Sequence, residues 1–248
     1  MNWATSTLIS LLCITTVTAL PARSDFSSSF YPNFIKDFLQ NTQFTGCVLP
    51  STTTLSSSTL STPSSGLSLK AITLGRGTQN YTCAGSTAIT SPEATGATAT
   101  LFDASCLVVP DANADRQSTL HFLPDILKTV PLGNVDLFAS LLSRSSGQNI
   151  AVGKHYFTAD GTPFFDLRGS ERYDSDWIAA KKEDEDDAPA KPGYGITGDV
   201  AWLKLTAVEG SLKEVYRIHT AGGSAPATCE DMPEEFTVDY AAEYWFYG

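Results

Sequence analysis

The amino-acid sequence predicts a mainly β fold, an antiparallel sandwich or irregular barrel with short helical insertions and two disulfides. Three observations carry that expectation. Eight short runs rich in β-branched and aromatic residues are bounded by Gly, Pro, Ser or Asp: 69–74, 78–83, 97–102, 154–157, 163–167, 200–207, 214–220 and 238–247. Few helical patterns lie between them, which disfavours repeated βαβ units. Four cysteines remain once an N-terminal leader is set aside, an even number suited to an oxidising compartment.

The leader comes first in the chain. Residues 7–17 form an uncharged apolar run, too short for a bilayer core of about 30 Å, so it reads as the core of a signal peptide. Val17 and Ala19 supply the small residues a signal peptidase accepts, which places cleavage after Ala19 and makes 20–248 one β-rich secreted domain. Pro32 followed by Phe34, Ile35, Phe38 and Leu39 has the spacing of a short amphipathic helix. Residues 51–68 are dominated by Ser and Thr and are too polar to pack, which suits an O-glycosylated loop and a bare one equally.

Of the strand runs, the last alternates most cleanly: Tyr240, Ala242, Tyr244 and Phe246 fall on one face, Ala241, Glu243, Trp245 and Tyr247 on the other. Between residues 107 and 147 the β rhythm breaks, and Leu137, Phe138, Leu141 and Leu142 at helical spacing predict a helical insertion over the sheet, with His121 inside it. The acidic run 181–187, KKEDEDD, followed by a Pro-rich stretch to 193, predicts a solvated loop.

Two disulfides among Cys47, Cys83, Cys106 and Cys229 allow three connectivities, and chain order alone does not choose among them. A short loop between two strand runs favours Cys83 with Cys106, leaving Cys47 for Cys229. On loop entropy those bridges are worth roughly 3 and 5 kcal/mol. No pair of cysteines or histidines stands at zinc-ligand spacing, so no metal and no cofactor are expected.

All charged residues follow Ala19, so the mature chain keeps the formal charge of −11, which excludes nucleic acid and anionic membranes as partners. No G-x-S-x-G elbow and no H-E-x-x-H pair is present. What remains for chemistry is a set of isolated polar residues in apolar strands: Asp103 after Leu101 and Phe102, His155 in Lys-His-Tyr-Phe, Asp166 after Phe164 and Phe165, and Arg217 on a face with Val215 and His219. Convergence of these four would suit a glycosidase-like carboxylate pair or a His–carboxylate metal site, and dispersal would suit buried structural pairs. The aromatics of the C-terminal run suit stacking on an extracellular polysaccharide or cell-wall component, and equally a core sealed on two sides. Asn80-Tyr81-Thr82 is a formal glycosylation sequon inside a strand run. The sequence favours a non-catalytic extracellular binding protein, with a hydrolase or metal-dependent enzyme as the alternative.

Six motifs appear in order: GRGTQNYTC (75–83), ATLFDASC (99–106), GKHYF (153–157), AWLKL (201–205), VYRIHTAGGSAPATC (215–229) and YAAEYWFY (240–247). Together they resemble a secreted domain family of unknown function, abundant in filamentous fungi and present in bacteria. The resemblance implies a fungal extracellular protein and no particular activity, and it implies an asparagine where this chain has His219. Some members of that family carry the name malate dehydrogenase. The sequence opposes that activity: Gly75 and Gly77 run into a strand pattern, with no third glycine and no following helix to receive a pyrophosphate.

Overall fold

The computed structural model describes residues 49, 55, 60–107, 115–189 and 198–248, with 115–119 and Ser145 by backbone alone. The leader, the helix expected at 32–39, Cys47 and most of 51–59 lie outside the described residues.

Eight antiparallel strands close into a barrel: β1 (Leu69–Thr82), β2 (Glu93–Asp103), β3 (Ala151–Phe157), β4 (Pro163–Asp166), β5 (Trp177–Asp186), β6 (Trp202–Gly210), β7 (Glu214–Gly222) and β8 (Glu235–Tyr247). Each pairs with the next, and β8 returns to β1 in a long ladder running from Leu69↔Tyr247 to Thr82↔Glu235. Closure leaves no strand edge unpaired, which is how an antiparallel sheet of this length avoids offering a template to other chains.

The alternation of β8 decides what lies inside and outside. Tyr240, Ala242, Tyr244 and Phe246 join Leu101, Phe165, Ile178, Leu205 and Val215 in one buried cluster that fills the barrel. Ala241, Trp245 and Tyr247 join Ile72, Leu74, Phe102, Tyr216 and Ile218 in a second cluster on the outer wall. That outer cluster is covered by α1 (Asp115–Lys128), whose Leu120, Leu123 and Leu127 are buried, and by α2 (Val135–Ser146). Both helices belong to the β2–β3 connection, as the helical spacing predicts. β1 and β8 are therefore apolar on both faces because one faces the lumen and the other faces a helix.

Four expectations need correction. The runs 69–74 and 78–83 are one strand, because the glycines between them thin it rather than turn it. A Cβ on Gly77 would stand 1.7 Å from the Thr98 carbonyl oxygen, and one on Gly75 2.6 Å from the Tyr244 ring. The acidic run is not a loop: Lys181 to Asp186 belong to β5 and pair with β6, from Lys181↔Thr206 to Asp186↔Trp202. Only Ile178 and Ala180 of that strand are fully buried, so a solvated outer face conceals its β character. Part of the Ser/Thr-rich segment is also docked: Leu60 is buried in the outer cluster, the Ser61 amide donates to Asp184, and Ser64 hydrogen-bonds Glu214.

The expected Cys83–Cys106 bridge is replaced by Cys83–Cys229. In the β1–β2 hairpin Thr73 stands opposite Asp103, so Cys83 and Cys106 lie at opposite ends, roughly 33 Å of strand apart. A disulfide needs Cα atoms within about 7 Å. Cys229, in the β7–β8 connection, meets Cys83 because β8 neighbours β1, with Cα atoms 5.7 Å apart. That leaves no Cys229 for Cys47, and Cys106 is itself disulfide-bonded.

Candidate functional site

The lumen is plugged at one end and hollow at the other. Leu167, Tyr173 and Leu212 close the end that carries the β4–β5 and β6–β7 connections. At the opposite end, beneath the β1–β2, β3–β4, β5–β6 and β7–β8 connections, a cavity of about 320 Å³ opens. All eight strands contribute to its wall. An eight-stranded barrel is about the size at which side chains either fill the interior or leave room for one small ligand.

The wall is mostly apolar, with Phe157, Pro163, Phe165, Leu203, Leu205 and Tyr244, and four kinds of polar group interrupt it. Arg217 projects from β7, opposite Tyr244 of β8. Its Nε and Nη2 donate to the Ala201 carbonyl oxygen at 3.3 and 2.8 Å, and among the described residues no carboxylate lies within ion-pair distance. Gln79 on β1 is buried, and its Nε2 has no hydrogen-bond partner among the described residues. Lys182 and Glu185 of β5 pair with each other at 2.5 Å near the rim. His155 on β3 is buried, stacked on Phe165 at 4.0 Å between ring centroids.

The His155 ring is fixed by one bond. Its Nδ1 lies 2.9 Å from the Phe164 carbonyl oxygen, which can only accept, so Nδ1 carries the hydrogen and Nε2 is left as an acceptor. Burial pulls its pKa down to about 4, against the opposing pull of that carbonyl, and the Arg217 charge adds to the lowering. At neutral pH this imidazole is uncharged, and the lumen's positive charge rests on Arg217 and Lys182.

Of the four residues the sequence singles out, the structure brings together His155 and Arg217 and separates the others. Asp103 ends β2 at the plugged end, accepting from Arg172 Nη1 at 3.1 Å, from the Tyr173 hydroxyl at 3.2 Å and from the Ser105 amide at 2.9 Å. Asp166 faces outward in a two-pronged pair with Arg168 at 2.8 and 2.9 Å, which holds its carboxyl below the ordinary carboxylate range. No carboxylate pair forms, and among the cavity-lining residues only His155 and Glu185 are metal-type donors. Asn80 lies in β1, its Oδ1 accepting from Thr78 Oγ1.

Sequence reasoning missed Gln79, Lys182 and Glu185. For Gln79 and Lys182 the one signal was parity, since residues two apart along a strand share a face, whereas Glu185 reaches the lumen only through the irregularity between Lys182 and Asp184, which parity does not foresee. The same rule failed for His219. It sits at a bulge where the ladder jumps from Ile218↔Glu243 to Ala221↔Ala241, with φ of +46°, so it leaves the face of Arg217 and stacks on His121 of α1 instead.

Residues 63–248 match the model of a family described as a protein of unknown function, DUF3455. The chain belongs to that family. The match covers the barrel, its helical connection and both faces of the wall, so the DUF3455 domain of this chain is the closed barrel itself. No curated protein and no solved structure matches the chain.

Proposed function

We propose that this DUF3455 barrel is a secreted, non-catalytic binding protein whose lumen takes one small amphipathic molecule bearing an anionic head such as a carboxylate. Arg217 carries the reading: a guanidinium in a mostly apolar cavity, with no carboxylate partner among the described residues, is an arrangement completed by an anion from outside. Gln79 Nε2, a second unmatched donor in the same wall, asks for the same acceptor. Phe157, Phe165, Leu203 and Leu205 supply the apolar bed for the rest of the ligand. The cavity is at the low end of the range for ligand sites, about 300–1,000 Å³, which fits a compact molecule.

Secretion rests on the leader and agrees with the Cys83–Cys229 bridge. A polysaccharide partner loses the residues that suggested it, since Tyr240, Tyr244, Trp245, Phe246 and Tyr247 are all buried. The outer aromatic row Tyr156, Phe164 and Trp177 does not replace them. Its rings stack on one another at 5.2 and 5.3 Å, which covers both faces of Phe164 and one face each of Tyr156 and Trp177. Dispersal of Asp103 and Asp166 away from His155 removes the donor set for hydrolysis.

Calorimetric titration with a series of aryl and alkyl carboxylates, each beside its methyl ester, tests the reading. A carboxylate that binds at least about tenfold tighter than its ester, and loses that advantage in Arg217→Met, is the expected result. Equal binding of acid and ester overturns the anion assignment, and retention on insoluble glycans without any small-molecule binding overturns the lumen as the site.

A further inference from the structure

On the outer wall, beneath α1, three metal-type donors meet. His121 of α1, His219 of β7 and Glu243 of β8 each place a ligand atom within 4.8 Å of the others. They are distant in sequence and belong to three elements, so no motif announces them. We propose that they form a binding site for a divalent transition-metal ion of the Zn(II) type, separate from the lumen.

Three observations converge on it. Glu243 is fully buried at the edge of an apolar cluster, and among the described residues its carboxylate meets the Trp245 indole N–H and His121 Nδ1. Among the described residues no Lys or Arg lies within ion-pair distance of it. A buried carboxylate needs a cation nearby, and two imidazoles with a carboxylate are a donor set that zinc and its neighbours accept. His219 is one of two non-glycine residues with positive φ among the described residues, and the bulge at that point is what turns its ring toward Glu243. Strained backbone of this kind persists where the side chain it aims has work to do.

The geometry is partly in place. His121 Nδ1 and Glu243 Oε2 are 3.2 Å apart, close to the edge of about 3.3 Å in a tetrahedron with bonds of about 2.0–2.1 Å. The His219 ring lies stacked on His121 at 3.7 Å and has to tilt from parallel to bring its nitrogen onto the same ion. Trp245 holds the second carboxylate oxygen and buried Trp202 packs against His219 at 4.7 Å, so the surrounding shell is built. His121 is partly exposed, which provides the entry path.

The test is titration of the full chain, purified without a polyhistidine tag and stripped with a chelator, with Zn(II), read by calorimetry and by zinc-edge X-ray absorption. One equivalent bound, with imidazole scattering in the absorption spectrum, is expected. His121→Gln and His219→Asn should each weaken binding at least about tenfold, the scale of effect reached even by loss of outer-shell partners. Asparagine tolerates the positive φ at that position, so the second variant removes the ligand and spares the backbone. If His219→Asn fails to fold, His121→Gln, at a partly exposed helix position, decides alone. Absence of a saturable zinc equivalent, or wild-type affinity in either folded variant, overturns the site.

Discussion

His155 and Phe165 lie face to face across β3 and β4, their planes 9° from parallel. Burial in that stack keeps the imidazole uncharged and resists its protonation down to about pH 4, although the Phe164 carbonyl pulls the other way. An unfolded histidine takes its proton near pH 6.5. Between those two values the unfolded chain binds a proton the barrel refuses, so unfolding free energy falls as pH drops from about 6.5 to about 4, and the loss approaches about 3 kcal/mol. Denaturation midpoints across that window should show the slope, and His155→Gln, which keeps a donor for the carbonyl and does not titrate, should remove this part of it. Equal slopes in both proteins would show that His155 is not the group responsible.

Asp103 works at the far end of the barrel. It joins Arg172, Tyr173 and Ser105 where the lumen is plugged, and Tyr173 Oη also lies 2.9 Å from Ser105 Oγ. Burial first, and the Asp103 charge second, push the Tyr173 hydroxyl above its ordinary pKa. Asp103→Ala should lower stability by about 1–3 kcal/mol by orphaning those donors, with the affinity of any lumen ligand unchanged. A loss of ligand affinity at unchanged stability would instead return Asp103 to the site.

The parts of this molecule that were legible from sequence are those set by local periodicity. β8 declares its two faces through Tyr240 to Tyr247, and Leu137 to Leu142 declare a helix. Closure was not legible, because the β1–β8 ladder joins residues such as Leu74 and Glu243 that are far apart in sequence. Of the site, His155 and Arg217 stood out as polar residues in apolar strands, whereas Gln79 and Lys182 resemble ordinary surface residues until the barrel is closed. His219 was misplaced because one bulge reverses the parity of everything read through it.

The run 181–187 tests the corrected β5 directly. A solvated loop would be dispensable, but Lys181 to Asp186 pair along β6, the Asp184 carboxyl holds the Ser61 amide and is kept acidic by it, and Glu183 meets buried Lys204 at 3.1 Å. Deleting 181–187 should open the barrel and abolish cooperative unfolding, whereas Lys181→Ser, at an exposed side chain, should shift stability by less than about 0.5 kcal/mol. Circular dichroism through a thermal scan separates the two, and a deletion variant that melts like the parent would restore the loop.

Cys83 and Cys229 tie the β1–β2 connection to the β7–β8 connection at the open end of the lumen. The backbone has already brought the two together: the Cys83 amide donates to the Glu234 carbonyl and the Cys229 amide to the Thr90 carbonyl, each at 2.8 Å. The bridge spans a sequence separation of 146, so chain entropy puts its contribution at about 5 kcal/mol, the upper end of what native bridges supply. Non-reducing peptide mapping should recover Cys83 joined to Cys229, and Cys83→Ala with Cys229→Ala should lower stability by about 2–5 kcal/mol. Because both cysteines sit in connections above the cavity wall, the double variant at low temperature should still bind a lumen ligand through Arg217, though less tightly. Recovery of a Cys83–Cys106 peptide would contradict the hairpin register itself, since Thr73↔Asp103 pairing holds those two sulfurs at opposite ends of the barrel.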